Sequence, residues 1–337
     1  MEAKRVNFLM RQGIFLKGIP AVRSRKVTPY HQKSELCSPK IGLQTCSKRR
    51  KLQQILKKIL MRNALMIALI FFSFSQLSAQ FTYSGVFTQA DLDDEYEYAF
   101  QLSWEALQQK HEALDAEGFR LTDIETAKEG AHRYYWAIWK KDEIHSTLKR
   151  IESWDSLVIM KRFMAADSFV MDEIEAYTYG GKEYFLAVWI PGDREHKIRK
   201  LTSWEGVVND HENLSRRDLQ LVDIEGFEGE DGATQYLALY QWEGPEFKTY
   251  YYRSHDFDDF ITDRGYRQKS GYALFDYERF EKRGKSFYVG LYKAADNGGR
   301  LEDRYNWEDF SKLLAKQKEQ NDIVLTDIDV SLEEKER

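Results

Sequence analysis

Cysteine is scarce. The 337-residue chain has two, Cys37 and Cys46, both upstream of residue 80. Everything after that point must hold together without disulfides, and it cannot carry a lipid on a thiol. Catalytic signatures are missing as well. There is no glycine-rich phosphate loop and no G-x-S-x-G elbow. The later histidines, His111, His132, His145, His196, His211 and His255, share no metal-ligand spacing and read as solvated side chains. Basic residues thin out too. Residues 1–79 hold 16 Lys and Arg against 2 Asp and Glu, which leaves 34 basic and 53 acidic residues from position 80 onward, a net charge of −19. A surface of that sign excludes nucleic acid and anionic membrane as partners.

Long apolar runs are rare. The strongest, from Ala64 toward Phe74 in "MRNALMIALIFFSFSQLSAQ", is broken by Ser73, Ser75 and Gln76 and falls short of the roughly 20 residues of a membrane span. Arg62 precedes it and Leu77-Ser78-Ala79 follows. That order predicts a signal peptide over residues 61–79, cleavage near Ala79-Gln80, a secreted or periplasmic protein, and no stable membrane insertion afterwards. Residues 1–60 read as an upstream basic extension, disordered or not translated, and residues 333–337 as a charged tail.

What the chain does have is repetition. Ser103-Trp104-Glu105, Ser153-Trp154-Asp155, Ser203-Trp204-Glu205, Asp256-Phe257-Asp258 and Asn306-Trp307-Glu308 place aromatics at intervals of 50, 50, 53 and 50 residues. A second landmark keeps the register through Leu121–Glu125, Asp172–Glu175, Leu221–Glu225, Leu274–Glu278 and Leu325–Asp329, and a third through Trp139, Trp189, Tyr240 and Tyr292. Such a period predicts an array in which units bury apolar faces against neighbours. Ser, Asp or Asn ahead of the aromatic is a helix N-cap, and the following acid suits the positive end of the helix. Trp104, Trp154, Trp204 and Trp307 are therefore expected as buried anchors of the first turn. A helix of about four turns precedes three strands. The predicted class is α+β: five tandem repeats of about 50 residues, each a helix plus three antiparallel strands, in a curved or closed sheet array with helices on the outside. The units fall near 103–152, 153–202, 203–255 and 256–302, and residues 81–102 complete 303–332 within one domain over 80–332. A small residue recurs at Ala137, Ala187, Ala238 and Gly290, where something must approach the backbone closely. The segment Tyr83–Phe87 repeats that pattern before the first helix, whereas the last unit ends after one strand. N-terminal strands completing the final unit would resolve both, and an open solenoid is the alternative.

Ser146–Lys149 fits S-x-x-K and Lys269-Ser270-Gly271 fits K-[ST]-G, but both fall at repeat positions, on a strand and a helix end, so neither reads as catalytic. The recurrent acids are better candidates. Each pair lies two residues apart and projects from one strand face. The candidate ligand-binding set is Asp123, Glu125, Glu173, Glu175, Asp223 and Glu225, with Tyr135, Phe185 and Tyr236 nearby by register. Acids beside aromatics suit a cationic peptide, a glycan or another cell-envelope ligand. The competing reading is surface pairing with Lys149, Arg150, Arg199, Lys200 and Arg253.

Ser153-Trp154, Gly118-Phe119-Arg120 and Tyr184-Phe185-Leu186-Ala187-Val188-Trp189 together resemble the bacterial tandem repeat found beside serine hydrolase domains in polyglycine-hydrolase-like secreted proteins. The resemblance spans roughly residues 100–330, without the hydrolase domain. It implies a repeat scaffold and transfers no catalytic residue. The expected function is a secreted, non-enzymatic binding or scaffold module with no cofactor and no metal. The alternative is a hydrolase or hydrolase accessory acting on cell-wall or peptide substrates.

Overall fold

The computed structural model describes residues 80–90, 94–244, 246–282, 284–295, 299–319 and 323–333. The expected signal peptide at 61–79, the extension at 1–60 and residues 334–337 of the expected tail lie outside them. Along the chain run β1 (Gln80–Gln89), β2 (Tyr96–Leu102), α1 (Trp104–Ala116), β3 (Phe119–Glu129), β4 (His132–Lys141), β5 (Thr147–Glu152), α2 (Trp154–Ala166), β6 (Phe169–Tyr179), β7 (Lys182–Pro191) and β8 (His196–Leu201). Then follow α3 (Trp204–Ser215), β9 (Leu219–Glu228), β10 (Thr234–Trp242), β11 (Thr249–Ser254), α4 (Phe257–Lys269), β12 (Tyr272–Lys282), β13 (Lys285–Ala294), β14 (Arg300–Tyr305), α5 (Trp307–Glu319) and β15 (Ile323–Glu333).

Each helix starts as its cap predicts. The side chains of Ser103, Ser153, Ser203 and Asp256 accept from the backbone amide three residues on, and Asn306 Oδ1 accepts from Asp309 N at 3.0 Å. The buried anchor, however, is not the tryptophan. Trp104 is buried, Trp154 and Trp204 are half-buried, and Trp307 is 40% exposed. The fully buried position lies one turn on, at Leu107, Leu157, Val207, Phe260 and Phe310, each 0% exposed. A residue at the first helical position sits at the rim of its sheet, whereas the next turn is directed onto the sheet face.

The strands form five separate three-stranded antiparallel sheets, ordered β2-β4-β3, β5-β7-β6, β8-β10-β9, β11-β13-β12 and β14-β1-β15. Among the described residues no hydrogen-bonded sheet closes on itself, which corrects the closed alternative of the expected curved or closed sheet array. The unit borders shift too. The strand before each helix joins the sheet after it, so β5 belongs with β6 and β7, and β2 completes the first sheet instead of the fifth. The expected loan from the N-terminus is β1, the middle strand of the fifth sheet, between β14 and β15.

The small residue of each middle strand now has its neighbour. Ala137, Ala187, Ala238, Gly290 and Gly85 pair with Ile124, Ile174, Ile224, Tyr277 and Ile328 respectively. A Cβ on Gly290 would stand 2.9 Å from Phe260 Cζ and 2.8 Å from Leu274 Cδ1. On Gly85 it would meet Leu325 Cδ1 at 2.4 Å and Phe310 Cζ at 3.4 Å. The helix anchor is what approaches. Units whose anchor is Leu or Val carry alanine, and units whose anchor is Phe carry glycine, which conserves the volume of each site.

Each helix packs on its own sheet, and the helix-bearing face of one sheet also meets the opposite face of the next. Tyr177, Leu186 and Val188 of the second sheet enter the apolar cluster of the first, and Phe227, Leu237 and Leu239 of the third enter that of the second. The pattern continues until Ala127, Trp136 and Ile138 of the first sheet join Phe81, Phe310 and Ile328 of the fifth. Accordingly β3 lies against β6, β6 against β9, β9 against β12, β12 against β15 and β15 against β3. We refer to these five as the inner strands. Among the described residues no helix is long and apolar enough to cross a membrane.

Candidate functional site

A bulge decides where the acids point. In each inner strand the pairing register skips one residue: Thr122, Asp172, Val222, Phe275 and Thr326. Without it, Leu121 and Asp123 would share a face, as residues two apart do. With it, Leu121 joins Ile124 in the core under α1, and Asp123 and Glu125 turn to the other side. The bulged threonines tie off the disrupted ladder. Thr122 Oγ1 donates to Ile138 O at 3.2 Å and Thr326 Oγ1 to Val86 O at 3.2 Å.

The carboxylates so directed meet the inner strand of the preceding sheet. Asp223 Oδ2 accepts from Ile174 N at 2.8 Å, Glu278 Oε1 from Gly226 N at 3.1 Å, and Asp327 Oδ2 from Tyr277 N at 3.2 Å. Asp329 Oδ1 accepts from Arg279 N at 3.2 Å, and Asp123 Oδ2 from Ile328 N at 3.0 Å, which carries the series from the first sheet to the fifth. Each inner strand is the edge of its sheet, and these side chains satisfy amides that have no strand partner there. Pairing with third-strand cations is not what the acids do. Arg150 covers the Trp104 ring at 4.8 Å, Arg199 bonds Asp210 at 3.0 Å, and Lys200 bonds Glu183. Arg253 reaches Tyr236 Oη at 3.2 Å, and Lys149 is exposed.

Two acid-lined cavities result. The larger, about 730 Å³, is bordered by Glu125, Glu175, Glu225, Glu278 and Asp329, and its whole wall carries nine carboxylates against three basic side chains, Lys128, Arg133 and Arg279. The smaller, about 280 Å³, is bordered by Asp123, Glu173, Asp223, Asp276 and Asp327. Glu125, Glu225 and Glu278 line both, so the cavities meet at that ring. All six acids of the candidate set are brought together here, joined by four that complete the repeat.

The aromatic members are placed elsewhere. Tyr135, Phe185 and Tyr236 are 3%, 0% and 0% exposed and line neither cavity. Tyr135 Oη bonds Tyr177 Oη at 3.0 Å, Phe185 packs edge-on against Phe227, and Tyr236 against Phe280. They fill the seams between sheets, because the bulge separates their side of the sheet from that of the acids.

Burial raises the carboxyl pKa values. Asp223 is pushed up to about 7 by loss of water, against the pull of its amide donor, and Asp329 to about 7 by the same loss, against Arg279. Glu125, Glu225 and Glu278 lie well above the usual range, first from burial and then from the charge of neighbouring carboxylates, and Glu175 lies there from burial, against a hydrogen bond with Glu225 and the pull of Arg133. Sequence reading missed two cations on the wall. Arg133 covers the Tyr177 ring at 4.0 Å and donates to Thr126 Oγ1 at 3.0 Å, and Arg279 donates to Ser331 Oγ at 3.0 Å. They occupy different repeat offsets, so periodicity could not reveal them. Two histidines also depart from expectation. His111 and His196 are buried, and desolvation lowers the His196 pKa to about 4.

Repeated sheet-helix units packed around shared carboxylates define a tandem-repeat protein with an acidic interior. Residues 94–142 match the family of polyglycine hydrolase-like structural repeats. That segment corresponds to β2, α1, β3 and β4, one complete sheet and its helix. No curated protein matches the chain.

Proposed function

We propose that the protein is an exported, non-enzymatic binding module, a radial array with its helices outward, that takes a cationic peptide into the larger acid-lined cavity. One observation carries this reading: nine carboxylates face that cavity against three cations. Glu175 Oε2, buried on its wall, has no hydrogen-bond donor. A positive ligand would supply the missing partner, and low local dielectric would strengthen the pairing. The bulged strands repeat one chemistry five times, so no unit stands apart with its own nucleophile, base and oxyanion donors. Export is supported by the order of Arg62, the apolar run from Ala64 and Leu77-Ser78-Ala79 ahead of Gln80.

The test uses protein purified from its native host. Its mature N-terminus should read Gln80 by mass spectrometry, and oligo-lysine should bind in calorimetry, more weakly as salt rises. Glu175→Gln with Glu225→Gln should weaken binding about tenfold or more, the loss of one buried charge pair. Absence of binding at low salt sinks the proposal. So does turnover on a cell-wall or peptide substrate that one point mutation abolishes.

A further inference from the structure

Within the ring around the larger cavity, Glu125, Glu278 and Asp329 stand apart. They come from β3, β12 and β15, neighbours in the packing order, and offer three carboxylate oxygens that all lie within 4.8 Å of one another. Each side chain is held through one oxygen by a main-chain amide: Glu125 Oε1 by Thr126 N at 2.6 Å, Glu278 Oε1 by Gly226 N, and Asp329 Oδ1 by Arg279 N. Each therefore keeps a second oxygen. Asp329 is 2% exposed, and its Oδ2 has no hydrogen-bond donor. Like charges oriented this way in a buried place are costly unless something positive sits between them.

We propose that Glu125, Glu278 and Asp329 form a divalent-cation site whose preferred occupant is calcium. This rests on the reading of the cavity as the binding site and names the first thing that it binds. The donor set is oxygen only, without histidine or cysteine, which selects hard cations over zinc or copper. Ligand number then selects among hard cations. Mg²⁺ keeps several waters and takes one or two carboxylates, whereas Ca²⁺ accepts more of them in a flexible shell. Three carboxylates from three strands suit Ca²⁺. Water from the open cavity completes the shell, and an ion there leaves Glu175 and Glu225 facing outward for a second, cationic group.

The experiment is calorimetric titration of the chelator-treated protein with CaCl₂, then with MgCl₂, with thermal melts in parallel. One Ca²⁺ should bind per chain, raise the melting temperature and bind more tightly than Mg²⁺. Glu278→Gln and Asp329→Asn should each weaken it about tenfold or more, while Glu112→Gln, an exposed acid on α1 that lines neither cavity, should change it less than about threefold. If Glu278→Gln does not fold, Glu125→Gln serves, because Glu125 accepts only from the next residue and joins no two strands. Equal weakening by Glu112→Gln, or no Ca²⁺ binding, overturns the site. If oligo-lysine still binds in that case, the cationic-peptide reading survives alone, and if neither binds, both fail.

Discussion

Phe260 and Gly290 form one volume shared between a helix and a strand, and a methyl group on Gly290 would enter it at 2.9 Å from Phe260 Cζ. Such overpacking costs about 1–3 kcal/mol. Gly290→Ala should therefore destabilise by that amount in denaturant unfolding. Phe260→Leu in the same chain should recover part of the loss, since Leu over Ala is the arrangement at Leu157 and Ala187. The coupling between the two changes should reach about 0.5–3 kcal/mol. Simple additivity would show that the pair is not one site. The same scale explains why the tryptophans misled. A cap motif marks where a helix begins, but burial belongs to the residue that faces the sheet, such as Phe310 rather than Trp307.

At the scale of strands, the carboxylates are edge caps before they are anything else. Asp223→Ala leaves Ile174 N without its acceptor and should cost about 1–3 kcal/mol. Asp223→Asn keeps an acceptor oxygen and should cost less. The two also differ in pH dependence. The folded-state pKa of Asp223, about 7, lies above the unfolded value of 3.8, so the folded chain binds the proton more tightly. Its contribution is fully present below about pH 4 and is lost as pH rises through about 7. Melting temperatures between pH 4 and 8 should fall less steeply for Asp223→Asn than for wild type. An unchanged slope would show that Asp223 is ionised throughout.

Across the whole array, the fifth sheet exists only because residues from the start of the chain return to its end. β1 separates β14 from β15, and it brings Phe81 onto Trp136 of the first sheet with ring centroids 5.1 Å apart. Deleting residues 80–89 removes a middle strand and both seams that it serves, unlike loss of an edge strand. Repeat arrays unfold as coupled neighbours. Calorimetry of the deletion should show the cooperative transition lost or split, whereas the intact protein melts in one step. A single transition at the wild-type temperature would contradict this role for β1.

The sequence by itself determined what is local. Helix starts, the repeat interval, the acids two apart on one strand and the unfinished last unit all depend on a residue and its near neighbours, and they were legible at Ser103, Asp123-Glu125 and Tyr83–Phe87. Tertiary structure decided direction and partners. Alternation alone puts Leu121 and Asp123 on one face, and only pairing with β4 creates the bulge that parts them. Asp123 meets Ile328 from 205 positions away, a separation that no local pattern encodes. Acids that composition would spread over a solvated surface are instead gathered inside, because five strand edges leave amides in need of acceptors and a carboxylate supplies one without a further strand.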